Sequence, residues 1–149
     1  MKTIDTLIDD IYQMLDEGKT QVDDDILSDM ATDIVNAFEG TLDREDDHRG
    51  AIRLSQMGQP CARKQWYSHR EEYIGEALQP YVRIKFLMGH IIEAVTIALA
   101  RAAGHEVTDQ QKLVQVSGVN GSIDCKIDGV LVDVKSASSY SFKIGRAHV

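Results

Sequence analysis

The chain of 149 residues contains only two cysteines, Cys61 and Cys125. Two thiols are too few for a disulfide framework, and too few for a zinc or iron–sulfur site built within this chain alone. No stretch reaches the roughly 18 uncharged apolar residues that a transmembrane helix needs. The N-terminus carries acid at Asp5, Asp9 and Asp10, where a secretory signal has an apolar run. We therefore expect a cytoplasmic protein without a membrane partner.

Basic residues are scarce in the first third of the chain. Residues 1–50 hold 15 Asp and Glu against 4 Lys and Arg, whereas residues 51–149 hold 9 against 12. The net charge of −8 therefore averages over an acidic segment and a mildly basic remainder. This distribution leaves nucleic acid open as a partner of the basic part, and a protein partner open for the acidic part. It indicates no particular oligomeric state.

The balance of 43% hydrophobic and 27% charged residues is typical of a globular protein with a packed core. Apolar residues at three- and four-residue steps predict an amphipathic helix from Ile4 to Leu15 that ends near Gly18. A second helix is predicted between an acidic cap at 23–25 and Gly40. Its predicted apolar stripe consists of Leu27, Met30, Ile34, Ala37 and Phe38. The charged, aperiodic segment 41–50 predicts a linker, so residues 1–50 are interpreted as an acidic helical extension.

A long apolar helix is predicted from Ile84 to Ala103, with Gly104 as the residue that ends it. Because apolar residues lie on nearly every side, we expect this helix to be largely buried. Its interior holds two ionisable residues, His90 and Glu93, which share one stripe because they are three residues apart. A buried carboxylate is unstable without a partner, so Glu93 needs either a solvent-facing stripe or a cation. His90 is either a ligand or a structural residue.

Three strands are predicted after that helix, at 112–116, 122–127 and 130–134, with a turn at 117–121. The pair Asp128-Gly129 is a strong signal for a two-residue hairpin loop. Such a loop fixes the register, so that residue 125 faces 132 and Asp124 faces Asp133. The apolar face of the hairpin, which should meet the core, consists of Ile123, Cys125, Ile127, Val130, Val132 and Val134.

The other face of the hairpin places Asp124 and Asp133 opposite each other, with Lys135 beside them. Two like charges at that spacing destabilise a sheet unless a positive group lies between them. The pattern is also that of the solvated side of an ordinary amphipathic hairpin. Both interpretations, a cation site and a solvated face, remain open at this point.

Together these motifs resemble the PD-(D/E)XK nuclease superfamily, in particular its RecB-like and phage exonuclease branches. GHIIEAV supplies an acid on a helix, GSIDCKIDG an Asp on a strand, and Asp133-Val134-Lys135 an Asp-x-Lys on the next strand. The resemblance covers roughly residues 84–140, about a third of the chain. It implies an α+β fold with a restriction-endonuclease-like core, in which helices flank a mixed sheet in the order αβββαβ.

The resemblance also implies an activity and its residues. Glu93, Asp124 and Asp133, together with the Val134 carbonyl, would hold Mg²⁺ or Mn²⁺, and Lys135 would help to activate water. His90 matches a histidine that RecB-like members use as a further metal ligand. The implied function is magnesium-dependent hydrolysis of DNA phosphodiester bonds, as an exonuclease of phage or recombination origin in the host cytoplasm. The alternatives are a non-catalytic DNA-binding or assembly module that retains the fold, and a structure-specific endonuclease.

The segment CARKQWY at 61–67 resembles the Cys-x-Arg…Tyr segment that precedes the core in RecB-like and CRISPR-associated nucleases. In some relatives that cysteine joins three C-terminal cysteines around an iron–sulfur cluster. No such trio follows here, so we expect Cys61 to be a small buried residue. Basic and aromatic side chains could bind the DNA backbone and stack on bases, or they could form an ordinary solvated helix. The predicted DNA contacts are Arg63, Lys64, Trp66, Tyr67 and Ser136.

Members of the superfamily continue past the lysine strand into a helix and a further strand. This chain ends about fourteen residues after Lys135, so residues 51–143 are interpreted as a partial, C-terminally truncated nuclease core. The final IGRAHV at 144–149 matches one translated frame of a common sequencing adapter. We interpret these six residues as a non-native tail.

Overall fold

The structure is a computed structural model that describes residues 2–18, 22–42, 54, 57–58, 60–68, 70 and 78–136. A single 3₁₀ turn at Ile4–Thr6 precedes the first α-helix. The α-helices in these ranges are α1 (Leu7–Glu17), α2 (Asp24–Leu42), α3 (Ala62–Ser68) and α4 (Pro80–Ala102). The strands are β1 (Val107–Thr108), β2 (Lys112–Val116), β3 (Val119–Ile123), β4 (Cys125–Ile127) and β5 (Val130–Val132). The fold is therefore of the mixed α+β class, as predicted.

The two N-terminal helices form where the apolar periodicity predicts them. Helix α1 ends at Gly18, whose φ of 61° is the left-handed conformation that glycine adopts at low cost. Helix α2 continues past Gly40 to Leu42, so the predicted linker at 41–50 begins inside a helix. Residues 43–50 and the proposed tail at 144–149 lie outside the described residues.

The predicted apolar stripe of α2 is only partly correct. Met30, Ile34 and Ala37 are half-buried, but Leu27 and Phe38 are 45% and 53% exposed. The buried residue of this helix is Ile26, which the predicted stripe omits. Helix α2 packs against α4, and the buried residue of its first turn is Ile26 rather than the predicted Leu27. Because α2 has apolar residues on adjacent faces, periodicity alone does not fix which face is buried.

Helix α4 begins earlier than predicted and ends as predicted. Pro80 occupies the first turn, where its missing N–H is not needed. At the C-terminal end, the Gly104 N–H donates to the Arg101 carbonyl at 2.9 Å and the His105 N–H donates to the Ala100 carbonyl at 3.0 Å. This pair of bonds is a Schellman motif, and it requires the left-handed φ of 85° at Gly104.

The expectation that α4 is largely buried is wrong for its first half. Ala94, Ile97 and Ala100 are the buried residues of the helix. By contrast, Ile84 and Phe86 are 59% and 55% exposed in the structure. The difference follows from packing, because Ile97 and Ala100 in the C-terminal half of the helix pack with Cys125 and Ile127 of β4.

The hairpin of β4 and β5 has the predicted register. Cys125 pairs with Val132 and Ile127 pairs with Val130, while β1 adds a third antiparallel strand on the other side of β4. Asp128 and Gly129 have φ values of 51° and 82°, as a type I′ turn requires at both loop positions. The ladder stops at Val132, however, so the predicted strand 130–134 is two residues too long.

The strand predicted at 122–127 is interrupted at Asp124, which belongs to neither β3 nor β4. Strand β3 pairs with β2 in a separate antiparallel sheet of two strands. The turn that joins these strands is formed by Ser117 and Gly118 alone, so the predicted turn at 117–121 is too long. All described strand pairings are antiparallel, and a parallel strand of a mixed sheet is not among them.

The core lies between the hairpin and the C-terminal half of α4. Ile97 and Ala100 of the helix pack with Cys125 and Ile127 of β4, all at most 3% exposed. The prediction that the apolar hairpin face meets the core is confirmed for Cys125 and Ile127, whereas Val130 remains 45% exposed near the turn. Partly buried side chains complete the cluster: Ile4, Leu7, Val107 and Val132. No helix within the described ranges combines the length and apolarity needed to cross a bilayer.

A buried histidine joins α1 to the hairpin. The His105 side chain is 0% exposed, its Nδ1 lies 2.7 Å from Asp128 Oδ2, and its Nε2 lies 3.1 Å from Asp10 Oδ2. A hydrogen bond from Thr6 lowers the pKa of Asp10, and one from His105 lowers the pKa of Asp128. The imidazole therefore lies between two carboxylates from opposite ends of the described chain.

Candidate active site

Glu93 projects from α4 into a largely enclosed position beside the strands. Its side chain is 12% exposed, and the side-chain amide of Gln111 donates a hydrogen bond to its Oε1. The other oxygen, Oε2, lies 3.7 Å from Nδ1 of His90, whose side chain is 57% exposed. The lone acid of the apolar helix is thus turned toward the strands rather than into solvent, and its ionisable neighbour on α4 is His90.

The charge of Asp124 acts on Glu93. Burial, and then the negative charge of Asp124, raise the pKa of Glu93, although the hydrogen bond from Gln111 opposes this effect. Burial and the same two carboxylates also raise the pKa of the Cys125 thiol. Two acids separated by 31 positions in the chain therefore share one neighbourhood at the edge of the core.

Two backbone N–H groups hold Asp124, one through its side chain and one through its main-chain carbonyl. Its Oδ2 accepts a hydrogen bond from the Val134 N–H at 2.8 Å, and its carbonyl accepts one from the Gln111 N–H at 2.8 Å. The predicted direct opposition of Asp124 and Asp133 is therefore incorrect in detail, because the ladder ends one step before that pair. The carboxylate instead binds the backbone of the segment that carries Asp133 and Lys135.

Asp133 and Lys135 lie on the exposed side of this segment and bind each other. Lys135 Nζ is 2.7 Å from Oδ1 and 2.5 Å from Oδ2 of Asp133, with side chains 74% and 62% exposed. The hydrogen bond that Lys135 donates to Asp133, together with the charges of Asp133 and Asp124, raises the pKa of Lys135, although burial opposes this effect. Lys135 therefore remains protonated at neutral pH.

The structure thus brings the predicted acids together in two groups. Glu93 and Asp124 are partly buried acids with the exposed His90 beside Glu93, and Asp133 with Lys135 forms an exposed pair that is linked to Asp124 through the Val134 backbone. Among the described residues there is no ready-made group of three or more His, Cys, Asp or Glu side chains arranged for a metal ion. The donor chemistry of Glu93 and Asp124 fits Mg²⁺ or Mn²⁺, because these ions prefer oxygen and need few protein ligands.

The predicted DNA-contacting residues of α3 lie on an exposed helix. Arg63, Lys64, Trp66 and Tyr67 are all exposed, and the two aromatic rings meet edge to face with centroids 4.9 Å apart. Arg70, which the sequence interpretation omitted, places its guanidinium 4.2 Å from the centroid of the Trp66 ring.

Two further predictions concern residues near these contacts. Cys61, immediately before α3, is exposed, so the expectation that it is buried is wrong. Its chain neighbours Pro60 and Ala62 are exposed as well, so this end of the short helix faces solvent among the described residues. Ser136, which directly follows Lys135, is exposed.

Gln111 is the residue of this site that the sequence interpretation missed. It lies in the turn between β1 and β2 with a φ of 47°, and it contacts both Glu93 and Asp124. A glutamine in a polar turn carries no periodic or motif signal. The only local sign is the polar run at 109–111 before a strand, which predicts a turn and nothing about its contacts.

Comparisons of this protein with protein-family models, with curated proteins and with solved structures found no match.

Proposed function

We propose that this chain carries part of the core of a metal-dependent deoxyribonuclease, an exonuclease of phage or recombination origin. The observation that carries the proposal is that Gln111 contacts both the largely buried Glu93 and the half-buried Asp124, so that the charge of Asp124 acts on Glu93. Like charges brought together at the edge of a core destabilise a fold, and a hard divalent cation between them would reverse that effect. Functional sites commonly retain such locally unfavourable arrangements.

Glu93 and Asp124 would hold the metal ion, with Asp133 and the Val134 carbonyl as further oxygen donors on the adjoining segment. Bound there, Mg²⁺ would lower the pKa of a water molecule and neutralise charge on the scissile phosphate. Asp133 lies on the exposed side of the hairpin end, where a phosphate can approach it from solvent. The arrangement fits an ion that keeps several of its waters.

Lys135 would act as a fixed positive charge. Because its pKa is raised, it is protonated at neutral pH and is not a general base. A protonated amine stabilises negative charge that develops on the phosphate oxygens during attack. Its exposure of 74% leaves it accessible to a DNA backbone.

Helix α3 would supply DNA contacts outside the reacting centre. Arg63 and Lys64 are exposed cations suited to phosphate, and Trp66 offers aromatic surface 51% exposed. Arg70 adds a third cation beside that ring. A basic and aromatic helix contributes affinity that is independent of sequence, which is what a nuclease that moves along DNA requires.

The test is digestion of linear and circular DNA by the purified chain with Mg²⁺. Glu93→Gln and Asp133→Asn should each abolish digestion, while Glu39→Gln, at an exposed position of α2, should leave it unchanged. Release of mononucleotides from linear DNA alone supports an exonuclease, and nicking of circular DNA supports an endonuclease. Equal activity of the wild type and Glu93→Gln would contradict the proposal.

A second candidate is a DNA-binding or assembly module without catalysis. It is favoured by the direct contact of Asp133 with Lys135, which leaves Asp133 neutralised within the chain. DNA binding that persists in EDTA, without turnover, supports this candidate. Loss of the same binding in a variant with Arg63 and Lys64 both replaced by Ala would assign it to α3.

A further inference from the structure

Gln111 makes one contact with each acid of the proposed metal site. Its side-chain amide donates to Glu93 Oε1, and its main-chain N–H donates to the Asp124 carbonyl at 2.8 Å. The two acids come from different elements, the middle of α4 and the junction of β3 and β4. Gln111 is therefore a bridge between the helix and the strands at the site itself.

The backbone of Gln111 is unusual. Its φ of 47° is left-handed, a conformation that residues with a Cβ rarely adopt. Asp109 in the same turn also has a positive φ, of 54°, and its carboxylate binds both Lys112 and Lys126 at 2.8 and 2.7 Å. These ion pairs hold the turn against strands β2 and β4, so that the Gln111 amide reaches Glu93 from a fixed support.

The side chain of Gln111 fills no part of the core. It is exposed, so its removal opens no cavity in the core. The backbone bond to Asp124 does not depend on the side chain. The side-chain amide of Gln111 fixes Oε1 of Glu93. The second oxygen, Oε2, which lies beside His90, is then the oxygen of this carboxylate that can bind a metal ion.

We propose that Gln111 is a positioning residue that holds Glu93 in place beside Asp124 for a divalent cation. This inference rests on the proposed metal-dependent function. A ligand held by a second hydrogen bond binds metal more tightly, because the carboxylate loses less freedom when the ion arrives. The glutamine amide is suited to this role, since it neutralises no charge and therefore does not compete with the ion.

The neighbouring residue provides a matched control. Gln110 lies in the same turn, and its amide also donates to a helix carboxylate, Asp33 of α2, at 2.9 Å. Asp33 is outside the proposed site. Gln110→Met and Gln111→Met therefore remove the same chemical group from the same turn, and both break a bond to a helix carboxylate. They differ in whether that carboxylate belongs to the proposed metal site.

The experiment is calorimetric titration of the full chain with Mn²⁺, accompanied by thermal melting in EDTA. Gln111→Met should weaken Mn²⁺ binding by about 10- to 100-fold, with a melting temperature close to that of the wild type. Gln110→Met should leave the affinity within about twofold. In digestion assays, Gln111→Met should raise the Mg²⁺ concentration needed for half-maximal rate and leave KM for DNA unchanged.

A second variant covers the case in which Gln111→Met does not fold. Gln111→Asn keeps an amide and tolerates the left-handed backbone, but it is one methylene too short to maintain the contact with Glu93. It should also weaken Mn²⁺ binding. Wild-type affinity in both variants would overturn the role of Gln111 alone, whereas no Mn²⁺ binding by the wild type would overturn this role and the metal-dependent function together.

Discussion

Replacing His105 by Leu should loosen the attachment of α1 to the hairpin. The imidazole is 0% exposed; its Nδ1 is hydrogen-bonded to Asp128 at 2.7 Å, and its Nε2 lies 3.1 Å from Asp10 Oδ2 without hydrogen-bond geometry. Leucine fills a similar volume, so the main loss is polar. A hydrogen bond to a charged group contributes about 1.5–3 kcal/mol, and breaking a buried pair by removing one partner costs up to about 5 kcal/mol.

Both carboxylates keep other partners after this substitution. Asp10 retains the Thr6 hydroxyl at 2.8 Å and Lys2 at 3.5 Å, and Asp128 retains the Glu106 N–H at 3.1 Å. We therefore expect His105→Leu to lower the free energy of unfolding by about 2–3 kcal/mol, in the lower part of that range. For a chain of this size the melting temperature should fall by about 5–10 °C.

The assay is urea denaturation followed by far-UV circular dichroism, with His90→Leu as the control. His90 is 57% exposed, so its replacement should change the free energy of unfolding by less than about 0.5 kcal/mol. Hydrogen exchange should show faster exchange confined to α1 in His105→Leu. Equal stability of the two variants would refute the conclusion that His105 fixes α1 to the hairpin.

Further predictions follow from other parts of the structure. The pKa values of Asp10 and Asp128 are lowered in the folded state, so the stability that these carboxylates contribute is complete above their ordinary pKa of 3.8 and is lost as the pH falls through their folded pKa values. Denaturation curves across acidic pH measure this loss. The variant in which both residues are replaced by Asn should not show it. Gly129→Ala should destabilise by about 1–2 kcal/mol, because its φ is 82°. Gly89→Ala should instead stabilise α4 by about 0.5–1 kcal/mol, because the added Cβ meets nothing within 4 Å in the described part of the chain. Melting temperatures that change in the same direction in Gly129→Ala and Gly89→Ala would contradict these two predictions. Glu93→Gln should raise the urea midpoint at neutral pH. The pKa of Glu93 is raised in the folded state, so ionisation of its carboxyl destabilises the fold at pH values above its ordinary pKa of 4.5. A urea midpoint below that of the wild type would contradict this prediction.

The sequence predicts best where a local conformation has a specific residue requirement. Asp128-Gly129 and Gly104 adopt the positive φ values that their turn and helix end need, and the hairpin register follows from the turn. The predicted C-terminal ends of α1 and α4 are correct for the same reason, because Gly18 and Gly104 both have positive φ. These features depend on a few neighbouring residues, so the sequence contains all the information that is needed.

The remaining features depend on contacts between distant parts of the chain. Periodicity did not choose between Ile26 and Leu27 as the buried residue of α2, because both lie on apolar faces. It could not show that only the second half of α4 meets the strands. The contacts of Gln111 and His105 were missed because polar residues in turns acquire their roles from partners far away in sequence.

Titration of the wild type, Glu93→Gln and Asp124→Asn with Mn²⁺ measures whether Glu93 and Asp124 together form a site for a hard divalent cation. We expect the wild type to bind Mn²⁺ and each variant to bind it at least about tenfold more weakly, while the exposed control Glu39→Gln retains the wild-type affinity. The same Mn²⁺ affinity in all four proteins would mean that these two carboxylates form no such site.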